Sequence, residues 1–110
     1  MITCTNAVEA DVPTEPLAAD NVVAGEPAAG VAALPSPRGF EVGIWVHTVG
    51  TSTDVEVDEV FVVISGRATI ACENGPTIDV GPGDVVTLAE GTATTWTIHE
   101  TLRKVFVARA

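Results

Sequence analysis

The chain has no tyrosine, two histidines, two cysteines, and only five basic residues against fifteen acidic ones in its 110 residues. Each shortage closes off a class of function. The formal net charge of −10 repels phosphate backbones and anionic headgroups, which argues against nucleic acid or membrane partners. No run approaches the ~18 apolar residues of a membrane span, and no basic segment followed by an apolar stretch marks a secretory signal. Cys4 and Cys72 form no CxxC pair and no disulfide framework, which fits a reducing, cytoplasmic compartment. Cys72 lies in the apolar run 68–72 and reads as a packed thiol. Neither His47 nor His99 neighbours a serine or cysteine, so no nucleophile pairing has a local signature. Tyrosine, a common acid and anion donor, is absent altogether. There is no Gly-rich phosphate loop, because Gly81-Pro82-Gly83-Asp84 reads as a turn between strands.

What is present points to strands. Hydrophobic residues make up 46% of the chain and charged ones 18%, with valine and threonine abundant, a bias that suits pleated, half-buried surfaces. Ten glycines and seven prolines suit many short strands joined by turns better than a helical bundle. A chain of this length forms one domain and buries roughly two-thirds of its unfolded surface.

The character changes near residue 40. Residues 1–37 carry prolines at 13, 16, 27, 35 and 37, which exclude a long helix or a central strand. They read as an extended N-terminal arm, with edge strands over 2–8 and 21–24. Its apolar residues, among them Val12, Leu17 and Leu34, predict packing on the barrel or on a partner subunit. Residues 38–110 read as the barrel domain: strands over 40–49, 54–64, 67–73, 77–80, 85–88, 94–99 and 103–109. Gly50-Thr51-Ser52, Ser65-Gly66, Asn74-Gly75 and Glu90-Gly91 serve as turns between them, Asn74-Gly75 being the strongest hairpin signal. Such spacing predicts an all-β, antiparallel sandwich or barrel.

Alternation assigns faces. Along the strand over 54–64, Asp54, Glu56 and Asp58 share one face and are expected outside, while Val55, Val57, Glu59, Phe61 and Val63 share the inner one. A core-facing Glu59 needs a cation, a metal or several donors, unless a bulge turns it outward. Thr94, Trp96 and Ile98 face inward and His99 outward. His47 shares a face with Trp45 and is positioned to meet Glu59. Lys104 shares one with Phe106, so a Glu59–Lys104 pair is the simplest way to satisfy both charges.

From about Gly43 to Val107 the chain resembles the cupin superfamily, and within it small single-domain cupins related to ureidoglycine aminohydrolase. The likeness rests on Trp45 and Gly50, on the run from Asp58 to Gly66, and on Gly75, the Gly81–Asp84 turn, Gly91 and Trp96. It ends with His99-Glu100 and Arg103-Lys104. It implies a small jelly-roll barrel that pairs as a homodimer. It also implies two metal motifs. Glu59 matches the glutamate of the first, but the histidine positions fall on Thr53 and Val55, or on Ser52 and Asp54. The histidine of the second falls on Thr94. One of four ligands survives, so no metal and no other cofactor is expected.

The expected function is therefore binding of a small metabolite inside the barrel. Trp45, Phe61, Thr94 and Trp96 are the candidate ligand-binding residues. Glu59 is the candidate general acid or base, with His47 or Lys104 as its catalytic partner. The alternatives are a non-catalytic sensor or dimerisation module, or a metal-dependent enzyme using His47, Glu59 and water on small carboxylated or nitrogenous metabolites.

Overall fold

The computed structural model describes residues 1–110. Nine strands run β1 Glu15–Pro16, β2 Val22–Ala24, β3 Ala28–Leu34, β4 Phe40–His47, β5 Gly50–Val55, β6 Glu59–Cys72, β7 Thr77–Val80, β8 Val85–Leu88 and β9 Ala93–Arg109. The only helix is a single 3₁₀ turn at Ala19–Asn21. All pairings are antiparallel. The sheet curls into a half-barrel, the cupin jelly roll.

Two long strands, β6 and β9, lie side by side as a spine. On its far edge β9 carries β4 and β5, and on its far edge β6 carries β8 and β7. Two wings thus hang from one spine. The spine bends where the β6–β9 register slips between Val63 and Ala68. Gly66 permits the bend: its φ is +88°, and a Cβ there would lie 2.1 Å from the Thr101 carbonyl oxygen. The expected turn at Ser65-Gly66 and the expected break between 99 and 103 are therefore bends inside continuous strands. Gly50-Thr51-Ser52, expected as a turn, opens β5.

The apolar core comprises Phe61, Val63, Ala68, Ile70, Val80 and Val86 with Leu88, Trp96, Ile98 and Leu102. Fully burying an aliphatic side chain of this size contributes about 1.5–3 kcal/mol.

Residues 7–12 pack on the outer side of this sheet, while β1, β2 and β3 join it as strands. The stretch 2–8 forms no strand; there the Asn6 carboxamide accepts bonds from the Val8 and Glu9 amides. Val12 packs with Ile44 and Val46 in a second small core. The Arg103 guanidinium holds the segment by donating to the Ala7 and Ala10 carbonyls. At Gly30 the chain passes so close that a Cβ would meet the Pro13 carbonyl oxygen at 1.8 Å. Beyond it, β3 pairs with β4 from Ala29↔His47 to Leu34↔Val42. Pro27 and Pro35 bracket that strand without interrupting it.

Candidate functional site

Every buried polar or charged residue of the protein gathers in one region: His47, Ser52, Glu56, Thr94 and Lys104. All but Thr94 line a cavity of about 330 Å³ between β4, β5 and the spine, and Thr94 bonds to Glu56 at its edge. Leu17 and Asn21, from residues before the barrel, help to close it.

Register explains the convergence. Trp45 lies opposite Lys104, and Lys104 opposite Val63, so these three form one inward row. Ser52 lies opposite Trp96, and Asp54 opposite Thr94, in the next rows. Glu59 lies between Leu88 and Ala108, both buried, and so points inward as alternation requires.

Lys104 and Glu59 form the expected ion pair, with Nζ 2.6 Å from Oε2 and side chains 6% and 11% exposed. The ammonium also lies 4.2 Å from the Phe61 ring centroid, 4.5 Å from Trp45 and 5.0 Å from Trp96. A carboxylate and three aromatic faces together replace the water that a buried ammonium loses. Phe61 acts from below and is not part of the cavity wall.

His47 does not meet Glu59. Its Nδ1 is 2.7 Å from the Thr48 carbonyl oxygen and its Nε2 is 2.8 Å from Ser52 Oγ. A carbonyl only accepts, so Nδ1 carries the proton and Nε2 accepts from the Ser52 hydroxyl. Burial is the main cause lowering the imidazole pKa, and the Lys104 charge adds to it against the opposing effect of the Thr48 bond. The ring is therefore neutral at pH 7. The sequence shows no serine beside His47; the tight turn between β4 and β5 brings Ser52, on β5, to it five residues on.

Glu56 is the larger correction. Expected in solvent beside Asp54 and Asp58, it is only 6% exposed, and its Oε2 accepts from Thr94 Oγ1 at 2.6 Å and Trp96 Nε1 at 3.0 Å. The reason is the break between β5 and β6. Residues 56–58 belong to no strand, so even positions face inward on β5 and odd positions on β6. Reading 54–64 as one strand gave a single parity to two. Val55 and Val57 are in fact exposed. Asp54, at the cavity mouth, also turns to this side. Partial loss of water raises its pKa, the Glu56 carboxylate raises it further, and the Val55 amide and Lys104 oppose the shift.

Thr94 and Trp96 are inward as expected, and His99 is exposed, 2.8 Å from Thr69 Oγ1. Thr94 lines a larger recess of about 710 Å³ that opens beside the first, with Asp54 on both.

The family model for the EutQ-like cupin domain matches residues 36–106. The chain belongs to that family. Among solved structures, a protein of unknown function from Rhizobium leguminosarum superposes with a TM-score of 0.67 at 23% identity, over 74% of this chain and 80% of that one. The Clostridium difficile EutQ protein gives 0.66 at 16% identity, over 76% of this chain and 63% of that one, so this EutQ-like domain spans less than two-thirds of that relative. Ectoine synthase from P. lautus gives 0.64 at 20% identity, over 82% and 68%. At such identities the likeness carries the fold alone. No curated protein matches the chain.

The residues present do not fit the histidine-held metal that the cupin resemblance implies. No three His, Cys, Asp or Glu side chains come together as a ligand set. The surviving motif carboxylate, Glu59, is engaged by an internal ammonium instead.

Proposed function

We propose that this EutQ-like cupin domain binds a small metabolite in the 330 Å³ cavity, with Lys104 as a built-in cation in place of a histidine-bound metal. One observation carries the reading: the interior is not filled by its own side chains at the place where all its buried polar groups converge. Specific small-molecule sites combine apolar walls with a few placed polar groups in cavities of this order. Trp45 and Trp96 supply wall, and Ser52, Glu56, Glu59 and Lys104 supply polarity.

A resemblance to the ureidoglycine aminohydrolase cupins, read from the motif around Glu59 and from the two tryptophans, favours a small nitrogen-bearing compound rather than that metal-dependent reaction itself. As an enzyme, the domain would use Glu59 as acid or base against Lys104, since both ring nitrogens of His47 are engaged. The acidic surface supports no role with nucleic acid or membranes, and the free thiols Cys4 and Cys72 support a cytoplasmic setting. No helix is long and apolar enough to cross a membrane.

The chain has two tryptophans, and both indoles border the cavity. Their two indole N–H resonances therefore report its occupancy. A metabolite mixture is expected to shift both, and the shift should persist in excess chelator. Loss of the shift on chelation would overturn the metal-free reading.

A second reading, homodimerisation, rests on the outer face. Val60 and Val107 lie opposite each other across the spine and stay exposed with Phe40 and Val85, while Asp58 and Arg109 supply both charge signs at the rim. An exposed apolar patch of this kind, on one outer face, is what an isologous contact about a two-fold axis would bury. Sedimentation of wild type beside Val107→Lys tests it, with dimer expected only for wild type.

A further inference from the structure

The cavity holds more negative charge than it neutralises. Glu41, Asp54, Glu56 and Glu59 all line it, and Lys104 is its only cation, His47 being neutral. Lys104 is spent on Glu59. The surplus therefore lies at Glu41, Asp54 and Glu56, of which Glu56 alone is buried.

General acidity of the chain does not account for Glu56. Surface carboxylates add solubility at little cost, but this one is 94% removed from solvent, where an incompletely satisfied charge is expensive. Moreover, its hydrogen-bond capacity is only half used. Thr94 and Trp96 both donate to Oε2, and Oε1 has no partner in the protein. Glu59 shows the same asymmetry, Lys104 donating to Oε2 alone. No fully buried side-chain oxygen or nitrogen in the molecule lacks a partner, so neither Oε1 is sealed off, and both residues line the cavity. Two acceptor oxygens without a protein partner thus belong to residues lining a space where the charge is already negative.

We infer that the ligand of this cavity is a small protonated amine whose N–H groups bond the free Oε1 of Glu56, with Asp54 guarding the mouth. The inference rests on the metabolite-binding reading above and adds the charge class of the ligand and a recognition residue. An ammonium suits the site better than a divalent ion. It brings N–H donors to oxygens that can only accept, and its single charge is repelled less by the Lys104 ammonium. Trp45, Leu17 and Val57 provide apolar surface for its carbon skeleton.

The test uses three probes with one skeleton, n-butylamine, n-butanol and butyrate, titrated at neutral pH into the full chain while the two indole N–H resonances are followed. Butylamine is expected to shift the Trp96 signal most, because that indole donates to Glu56. Butyrate should not bind. Glu56→Gln keeps an oxygen for Thr94 and Trp96 but turns an N–H₂ donor toward the cavity. It should weaken butylamine by about tenfold or more, the usual weight of a charge-assisted bond. Asp54→Asn, at an exposed position, should weaken it about two- to fivefold by lowering the local charge, and it decides the matter if the Glu56 variant does not fold. Should butanol or butyrate bind as tightly as butylamine, or both variants keep wild-type amine affinity, the amine assignment falls while the cavity reading stands. If none of the three shifts either indole at high millimolar concentration, the assignment falls together with the reading beneath it.

Discussion

The two wings of the half-barrel hang from the same spine and face the same interior, yet their inward surfaces are of opposite kinds. On β7 and β8 the inward residues are Val80, Val86 and Leu88, each under 9% exposed and all aliphatic. On β4 and β5 they are Trp45, His47, Ser52 and Asp54, followed by Glu56 just beyond the strand. Aliphatic packing is the cheaper way to fill an interior, since every polar group buried must recover its lost water through hydrogen bonds. One wing takes that way and closes the core. The other carries a histidine–serine bond and two carboxylates around a space it does not fill. On the metabolite-binding proposal above, the polar wing serves ligand contact rather than the fold, and the apolar wing is the measure of what the fold alone needs.

The sharpest way to break the comparison is to make the polar side as apolar as the other. Lys104→Met alone leaves Glu59 buried without its cation, and a loss of about 3–5 kcal/mol is expected in urea unfolding. Adding Glu59→Leu removes the orphaned charge. The double variant should recover all of that loss and end level with wild type or above it by about 1–4 kcal/mol. It should also lose cavity binding. A double variant as unstable as the single one would mean that the pair is required by the fold, and the argument for a retained site would fail.

How far the sequence carried this picture depends on where strand parity was continuous. Trp96, Thr94 and His99 sit on one unbroken strand, and alternation placed all three correctly. Lys104 and Glu59 were paired from the same rule because each lies within a strand whose neighbours are strongly apolar. Glu56 was lost because alternating acids and valines normally mean acids outside. Here the strand ends at Val55, three irregular residues reset the parity, and the interior beside them is polar. No local signal in that run distinguishes the two parities. Ser52 was hidden by a glycine-led triplet that looks like a turn but begins β5. Strand β3 was obscured by its flanking prolines, although its pairing along β4 needs no amide from either of them.

A second contrast sets one residue from each wing against the other. Leu88→Ala empties part of the apolar wing and should cost about 2–5 kcal/mol in the same unfolding measurement while leaving butylamine affinity unchanged. Ser52→Ala removes a hydroxyl whose one protein bond is to His47 Nε2, leaving that nitrogen facing the cavity without its donor. The cost should be about 1–3 kcal/mol, less than for Leu88. Equal costs would deny that the two wings are built for different purposes.

The smallest effect concerns the proton on His47. Its pKa is held below the ordinary value near 6.5, chiefly by burial. Between its native pKa and 6.5 the unfolded chain binds a proton that the folded one refuses, so folding stability from this group falls as pH drops through that window and is complete above it. Asp54 acts in the opposite sense. Its raised pKa means that the folded state holds its proton more tightly, so its unfavourable contribution is relieved as pH falls through the raised value. The direct measurement is the His47 ring-proton shift, which should stay at its neutral position as the sample is taken below pH 6.5. Ser52→Ala should leave Nε2 free to take a proton from the cavity and move that transition upward. A wild-type ring that titrates at the ordinary value would mean that water reaches it freely, and the polar wing would then be an open surface rather than an enclosed site.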